Sequence, residues 1–84
     1  VILPDKVSYI GQWAFSGCSL LTNITIPDAV TSIENFAFSG CNNLDSISTL
    51  EGVTSIGNYA FEECYKLTNI TLGEGITSLG TGVF

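Results

Sequence analysis

The sequence predicts a β-rich solenoid, a stack of similar coils, and three observations carry that prediction. Cys18, Cys41 and Cys64 recur at a fixed period of 23 residues. Ile10, Ile33, Ile56 and Leu79 keep the same step, as do Phe15, Phe38, Phe61 and Phe84. Between these markers lie short stretches that alternate apolar and polar residues and are rich in β-branched side chains. A fixed period in the twenties marks a unit that can bury its apolar residues only against its neighbours. Residues 1–84 therefore read as one segment of about three and a half coils. Val1 and Ile2 begin in mid-repeat, and Phe84 directly follows an Ile-to-Phe stretch, so a longer array is expected around the segment.

The elements of one coil follow in order. The first coil sets Val7, Ile10, Ala14, Phe15, Cys18, Leu21, Ile24 and Ile26 in its apolar positions. The second sets Val30, Ile33, Ala37, Phe38, Cys41, Leu44 and Ile47, and the third Val53, Ile56, Ala60, Phe61, Cys64, Leu67, Ile70 and Leu72. Ile76, Leu79, Val83 and Phe84 begin a fourth. Leu21-x-x-Ile24-x-Ile26 and Leu67-x-x-Ile70-x-Leu72 alternate as a half-buried strand does, and they predict the main strand of each coil. Stacked coils place these strands about 4.8 Å apart in a parallel sheet along the array. The Val-Thr-Ser-Ile stretch is a second, shorter β segment. Residues 12–17 mix small and aromatic side chains and predict a tight helical or 3₁₀ turn. Asp28, Glu51 and Glu74 fall where the chain must turn after the main strand.

The motif Ile-Gly-x-x-Ala-Phe-x-x-Cys-x-x-Leu-x-x-Ile-x-Ile-Pro stands here as Ile10-Gly11, Ala14-Phe15, Cys18, Leu21, Ile24 and Ile26-Pro27. It resembles the BspA-like leucine-rich repeat, and the resemblance spans the whole chain. It implies a right-handed, curved leucine-rich coil stack with a parallel sheet, found on microbial surface or secreted proteins and used in adhesion and recognition. Two departures stand out. Glu34 replaces the glycine after Ile33, and Thr49-Leu50 stand where Ile26-Pro27 and Leu72 lead one to expect an apolar pair, which suggests a local bulge.

Composition excludes several function classes. Two basic residues against eight acidic ones give a net charge of −6. Nucleic-acid binding needs clustered cations and is excluded on that ground, and so is docking to anionic lipid. No apolar run approaches the roughly 20 residues of a membrane span. Without histidine there is no ordinary Ser-His or Cys-His pair, the carboxylates repeat by coil rather than converge, and no phosphate-cradling glycine motif appears; the chain reads as a non-enzyme with no cofactor.

The remaining candidates each have a plainer reading beside them. The cysteine column lies in a line, a poor shape for zinc, and reads as three small buried hydrophobes; a disulfide between coils is the alternative. The acidic column Asp5, Asp28, Glu51 and Glu74 offers one carboxylate per coil, thin for calcium, and reads as a solvated corner. Asn23-Ile24-Thr25 and Asn69-Ile70-Thr71 match the glycosylation sequon, but the strand repeat alone generates them. Two surfaces remain for recognition. The outward rows of the main strands, Asn23, Ser46 and Asn69 with Thr25, Ser48 and Thr71, are small and hydroxylated, and the resemblance places them on the concave face where partners lie. Trp13, Phe36 and Tyr59 form a second aromatic column two positions before the phenylalanines, which either packs or presents rings to a sugar or a partner. The resulting expectation is a protein-interaction or adhesion module with a protein or glycan ligand, at the cell surface or outside the cell. A structural spacer that displays another domain is the alternative.

Overall fold

The computed structural model describes residues 3–48, 51–68, 70 and 72–84. Each coil contributes two short extended segments. β1 (Tyr9–Ile10), β3 (Ser32–Ile33), β5 (Ser55–Ile56) and β6 (Ser78–Leu79) form a four-stranded parallel sheet in that order. β2 (Asn23–Thr25) and β4 (Ser46–Ser48) form a separate parallel pair. The register follows the period: Ile10 lies opposite Ile33, Ile33 opposite Ile56 and Ile56 opposite Leu79, while Ile24 lies opposite Ile47. The solenoid expected from the sequence is thus present, with the more extensive described sheet on the Val-Thr-Ser-Ile side. The expected bulge at Thr49 and Leu50 lies outside the described residues.

One residue of each of β1 to β5 points into the core, whereas in β6 Leu79, expected in the same apolar column, is half exposed. Ile10, Ile24, Ile33 and Ile56 are buried, and their neighbours Tyr9, Asn23 and Thr25 are exposed. Phe38, Phe61, Leu44, Val30, Val53 and Cys41 complete the interior. Each fully buried side chain of this size contributes roughly 1.5–3 kcal/mol. Phe15, Phe38, Phe61 and Phe84 stack nearly parallel along the axis at centroid spacings of 5.2, 5.3 and 5.7 Å. The corner before each Val-Thr-Ser-Ile segment is a turn, as expected, closed by Val7 N–H to Pro4 O and Val30 N–H to Pro27 O.

The helical or 3₁₀ turn expected over residues 12–17 does not form. The chain there makes successive β-turns. Ala14, Ser16 and Cys18 donate their N–H groups three residues back, to the carbonyls of Gly11, Trp13 and Phe15. A helix would continue this pattern with uniform dihedrals, but Trp13 and Gly17 have φ of 64° and 74°. Each left-handed residue reverses the winding, so no helix accumulates. The intervening N–H groups are thereby freed to bond between coils. Trp13, Phe15 and Gly17 donate to Asn35, Ala37 and Ser39 of the next coil, at 3.3, 2.8 and 2.8 Å. The same alternation recurs at Phe36, Phe38 and Gly40.

Candidate binding surfaces

The strand face is built by the outward residues of β2 and β4. Asn23, Thr25 and Ser46 are exposed, as are Thr22 and Asp45 at its leading margin. Asn23 Nδ2 donates to Thr22 Oγ1 at 3.4 Å. Ser48 lies in register opposite Thr25. Asn69 and Thr71, which the sequence assigns to the same rows, lie outside the described residues. A ridge at the 18–21, 41–44 and 64–67 turns borders this face and carries Leu20, 93% exposed, and Tyr65, 74% exposed. Beyond the far end of the strands lies the corner with exposed Asp28, Glu51 and Glu74.

Trp13, Phe36 and Tyr59 form the second aromatic column on the turn-built side. Trp13 stacks on Phe36 at 4.2 Å with planes 3° apart, and Phe36 on Tyr59 at 5.3 Å and 18°. Trp13 is about half exposed, and Phe36 and Tyr59 are partly buried. Between Trp13 and Tyr59 the ring faces are turned to one another, so edges rather than faces meet solvent. Trp13, at the end of the column, has a ring stacked on one face among the described residues and is the most exposed of the three. All three residues hold left-handed backbones, with φ of 64°, 59° and 56°. This conformation costs an L residue with a Cβ roughly 1–2 kcal/mol. Gly82 occupies the same column in the fourth coil at φ 60°, and a Cβ there would come within 2.6 Å of Tyr59 Cε1. Tyr59 therefore leans over Gly82, and the ring column ends there.

The cysteines are free thiols; Cys41 is buried as expected, Cys18 and Cys64 are only partly buried, and two of the three join coils by hydrogen bonds. Cys41 Sγ donates to Phe15 O at 3.0 Å, and Cys64 Sγ to Phe38 O at 3.2 Å. Burial pushes both thiols up, Cys64 to about 11; at Cys64 the charge of Cys41 adds to the rise, while at Cys41 the backbone hydrogen bond from Cys18 opposes it. Thiols so held are poor nucleophiles and poor metal ligands near neutral pH. A shallow cleft of about 270 Å³ lies beside Cys64, lined by Phe61, Glu63, Cys64, Tyr65, Leu67 and Phe84. Its thiol is thus in its unreactive form. Among the described residues no group of three or more His, Cys, Asp or Glu side chains could hold a metal ion. Among the same residues no helix is long and apolar enough to cross a membrane.

Two coil-to-coil devices escaped the sequence reading. Asn35 Oδ1 accepts the Asn58 N–H at 2.7 Å, and Asn58 Oδ1 accepts the Thr81 N–H at 2.8 Å. These bonds draw successive backbones together, and a Cβ at Gly57 would lie 2.5 Å from Asn35 N. Gln12 makes no such bond, and opposite it stands Glu34, the one side chain in the glycine column. The pairing of Asn with Gly in the next coil was the available signal. Threonine hydroxyls form the other device: Thr31, Thr54 and Thr77 donate to the carbonyls of Ser8, Thr31 and Thr54 at 3.4, 3.1 and 3.2 Å.

Comparison with known proteins agrees with this architecture. A family model described as a BspA type leucine rich repeat region (6 copies) matches residues 1–84. A crystal structure of a leucine-rich repeat protein of T. pallidum is similar, with a TM-score of 0.92 and 29% identity, over 95% of this chain and 40% of that one. A leucine-rich repeat protein from Bacteroides ovatus ATCC 8483 gives a TM-score of 0.88 and 35% identity over 98% of this chain. The chain spans 25% of the length of that protein. Comparison with curated protein sequences gives no match.

Proposed function

We propose that this chain, which belongs to the BspA-type leucine-rich repeat family, is a non-enzymatic adhesion or recognition module of a microbial surface or secreted protein. It binds a protein or glycan through its strand face. The observation that supports this reading is the contrast on β2 and β4: inward Ile24 is buried, while outward Asn23, Thr25 and Ser46 are exposed and small. Burial therefore constrains the inward residues more than the outward ones, and an extended repeated surface is what a solenoid offers a partner. The Trp13–Phe36–Tyr59 edge is a second contact zone on the same molecule.

The test is an array of surface proteins and glycans probed with the purified chain. The comparison is a Thr25→Lys, Ser46→Lys, Ser48→Lys variant and a Ser32→Lys, Ser55→Lys, Ser78→Lys control on the four-stranded sheet, which adds the same charge. Signals lost in the face variant and kept in the control support the reading. Equal signals in all three would remove the strand face from recognition. A wild-type chain that binds nothing on the array points to the alternative, a spacer holding another domain.

A further inference from the structure

We infer that the strand face takes a cationic partner, a protein surface or extended segment rich in Lys and Arg; this rests on the strand-face reading above. The face itself is almost neutral, so its margins set the charge. Asp28, Glu51 and Glu74 follow the main-strand positions by three residues, and all three are exposed. The 23-residue period advances them one coil at a time, and coils joined by paired strands step by about 4.8 Å. At the opposite margin Asp45 is exposed, with its N–H bonded to Thr22 O at 2.9 Å, which fixes its backbone beside β4.

The whole chain has two cationic side chains, Lys6 and Lys66. Lys6 sits next to Asp5 and offsets only the first corner. Lys66 stands on the ridge beside Tyr65, in the third coil. Lys66 thus offsets Asp45 at the ridge margin, while the corner carboxylates Asp28, Glu51 and Glu74 have no lysine in their own corners. A row of like charges at one coil per step disfavours an anionic partner and attracts a cationic one before contact. Exposed Leu20 and Tyr65 on the ridge supply apolar contact for the aliphatic stems of Lys and Arg.

The experiment measures fluorescence anisotropy of labelled decalysine and decaglutamate with the purified chain at 50 mM and 500 mM NaCl. Three variants accompany it, each checked by circular dichroism for an unchanged fold. The row variant is Asp28→Asn, Glu51→Gln, Glu74→Gln. The charge control is Glu34→Gln, Glu62→Gln, Glu63→Gln, which removes the same charge from the turn-built side. The face variant is Thr25→Trp, Ser46→Trp, which obstructs the face without changing charge. The expected result is binding of decalysine alone, weakened about tenfold by the row variant and less than threefold by the control. High salt weakens it as well. Equal losses in row and control variants would overturn the inference, since net charge alone would then explain binding. In that case a loss with the face variant keeps the strand-face reading. No loss with the face variant removes that reading too.

Discussion

The turn-built side and the strand face of each coil solve the same stacking problem in opposite ways. On the turn-built side nearly every group is committed to the neighbouring coil. Rings stack on rings, alternate N–H groups bond forward, and thiols bond backward to phenylalanine carbonyls. On the strand face the backbone pairs and Ile24 and Ile47 point inward, but the outward side chains carry little of the packing. The difference teaches where to look for function in a repeat protein. Residues that recur because coils must stack say little about a partner, and the freedom left elsewhere is what a partner can read.

The sharpest way to break that comparison is to remove a committed ring. Phe38 is fully buried and stacked on both sides, by Phe15 and Phe61. Phe38→Ala is expected to cost about 3–5 kcal/mol in a urea melt. A chain of this length holds roughly 4–13 kcal/mol in all, so the variant should lose a large share of its stability. A loss under 1 kcal/mol would mean that the ring column is incidental.

Backbone crowding gives the next effect. Gly52 and Gly75 share one column, yet a Cβ at Gly52 would overlap the Asp28 carbonyl oxygen, whereas at Gly75 it meets only the Thr54 methyl at 3.8 Å. Gly52→Ala is expected to lose about 1–3 kcal/mol. Gly75→Ala is expected to be neutral or to gain up to about 1 kcal/mol by stiffening the unfolded chain. Matching urea midpoints for the two variants would contradict the close approach.

How much of this was legible in sequence follows from what repeats. Side-chain identity repeats, so the period placed Ile33, Phe38, Cys41 and Leu44 in the core, and all four are buried. Backbone sign does not repeat as a residue type. Trp13, Phe36 and Tyr59 are poor residues for a left-handed φ, and propensity points away from it. Their alignment with Gly82 was the one residue-level hint. The same blindness produced the helical expectation for residues 12–17, since an i to i+3 bond pattern is shared by 3₁₀ turns and by β-turns reversed at one residue. The candidate face was legible as polar rows, because alternation fixes which side chains point outward. What meets those rows is chemistry on another molecule, and no period encodes it.

The left-handed column supports an inverted substitution order. At an ordinary strand or helix position glycine is worse than alanine by about 0.5–1 kcal/mol. At Phe36, φ 59°, both substitutions lose the ring contacts with Trp13 and Tyr59, but only glycine escapes the left-handed penalty. Phe36→Gly is therefore expected to be more stable than Phe36→Ala by about 1 kcal/mol. The reverse order in thermal melts would show that the turn relaxes to a negative φ once the ring is gone.

The thiols add a smaller, pH-dependent effect. Cys64 is raised from 9.0 to about 11, first by burial and then by the nearby Cys41 thiol. Its neutral form is favoured by folding. The contribution is fully present below pH 9 and is lost as pH rises toward 11, where only the unfolded chain gains by ionising. Stability should fall across that window in the wild type and fall less in Cys64→Ser. Alkylation of Cys64 at pH 8 should run roughly 100-fold slower than that of an unshifted thiol, in proportion to thiolate. Labelling as fast as in unfolded protein would show the site to be open.

The strand face should show the smallest effect on stability, and that is what separates it from the rest of the coil. Thr25 is exposed, and its side chain points away from the interior that Ile24 and Ile26 fill. Thr25→Lys keeps the backbone pairing with Ser48 and loses only a modest β preference. It is expected to shift the urea midpoint by less than about 1 kcal/mol equivalent. The same substitution reverses the character of a face bordered by Asp28, Glu51 and Glu74, so its effect on a cationic probe should exceed its effect on folding. If Thr25→Lys instead destabilises the chain as much as Gly52→Ala, the outward rows are part of the packing. The contrast between the two sides then disappears, and with it the ground for placing recognition on this face.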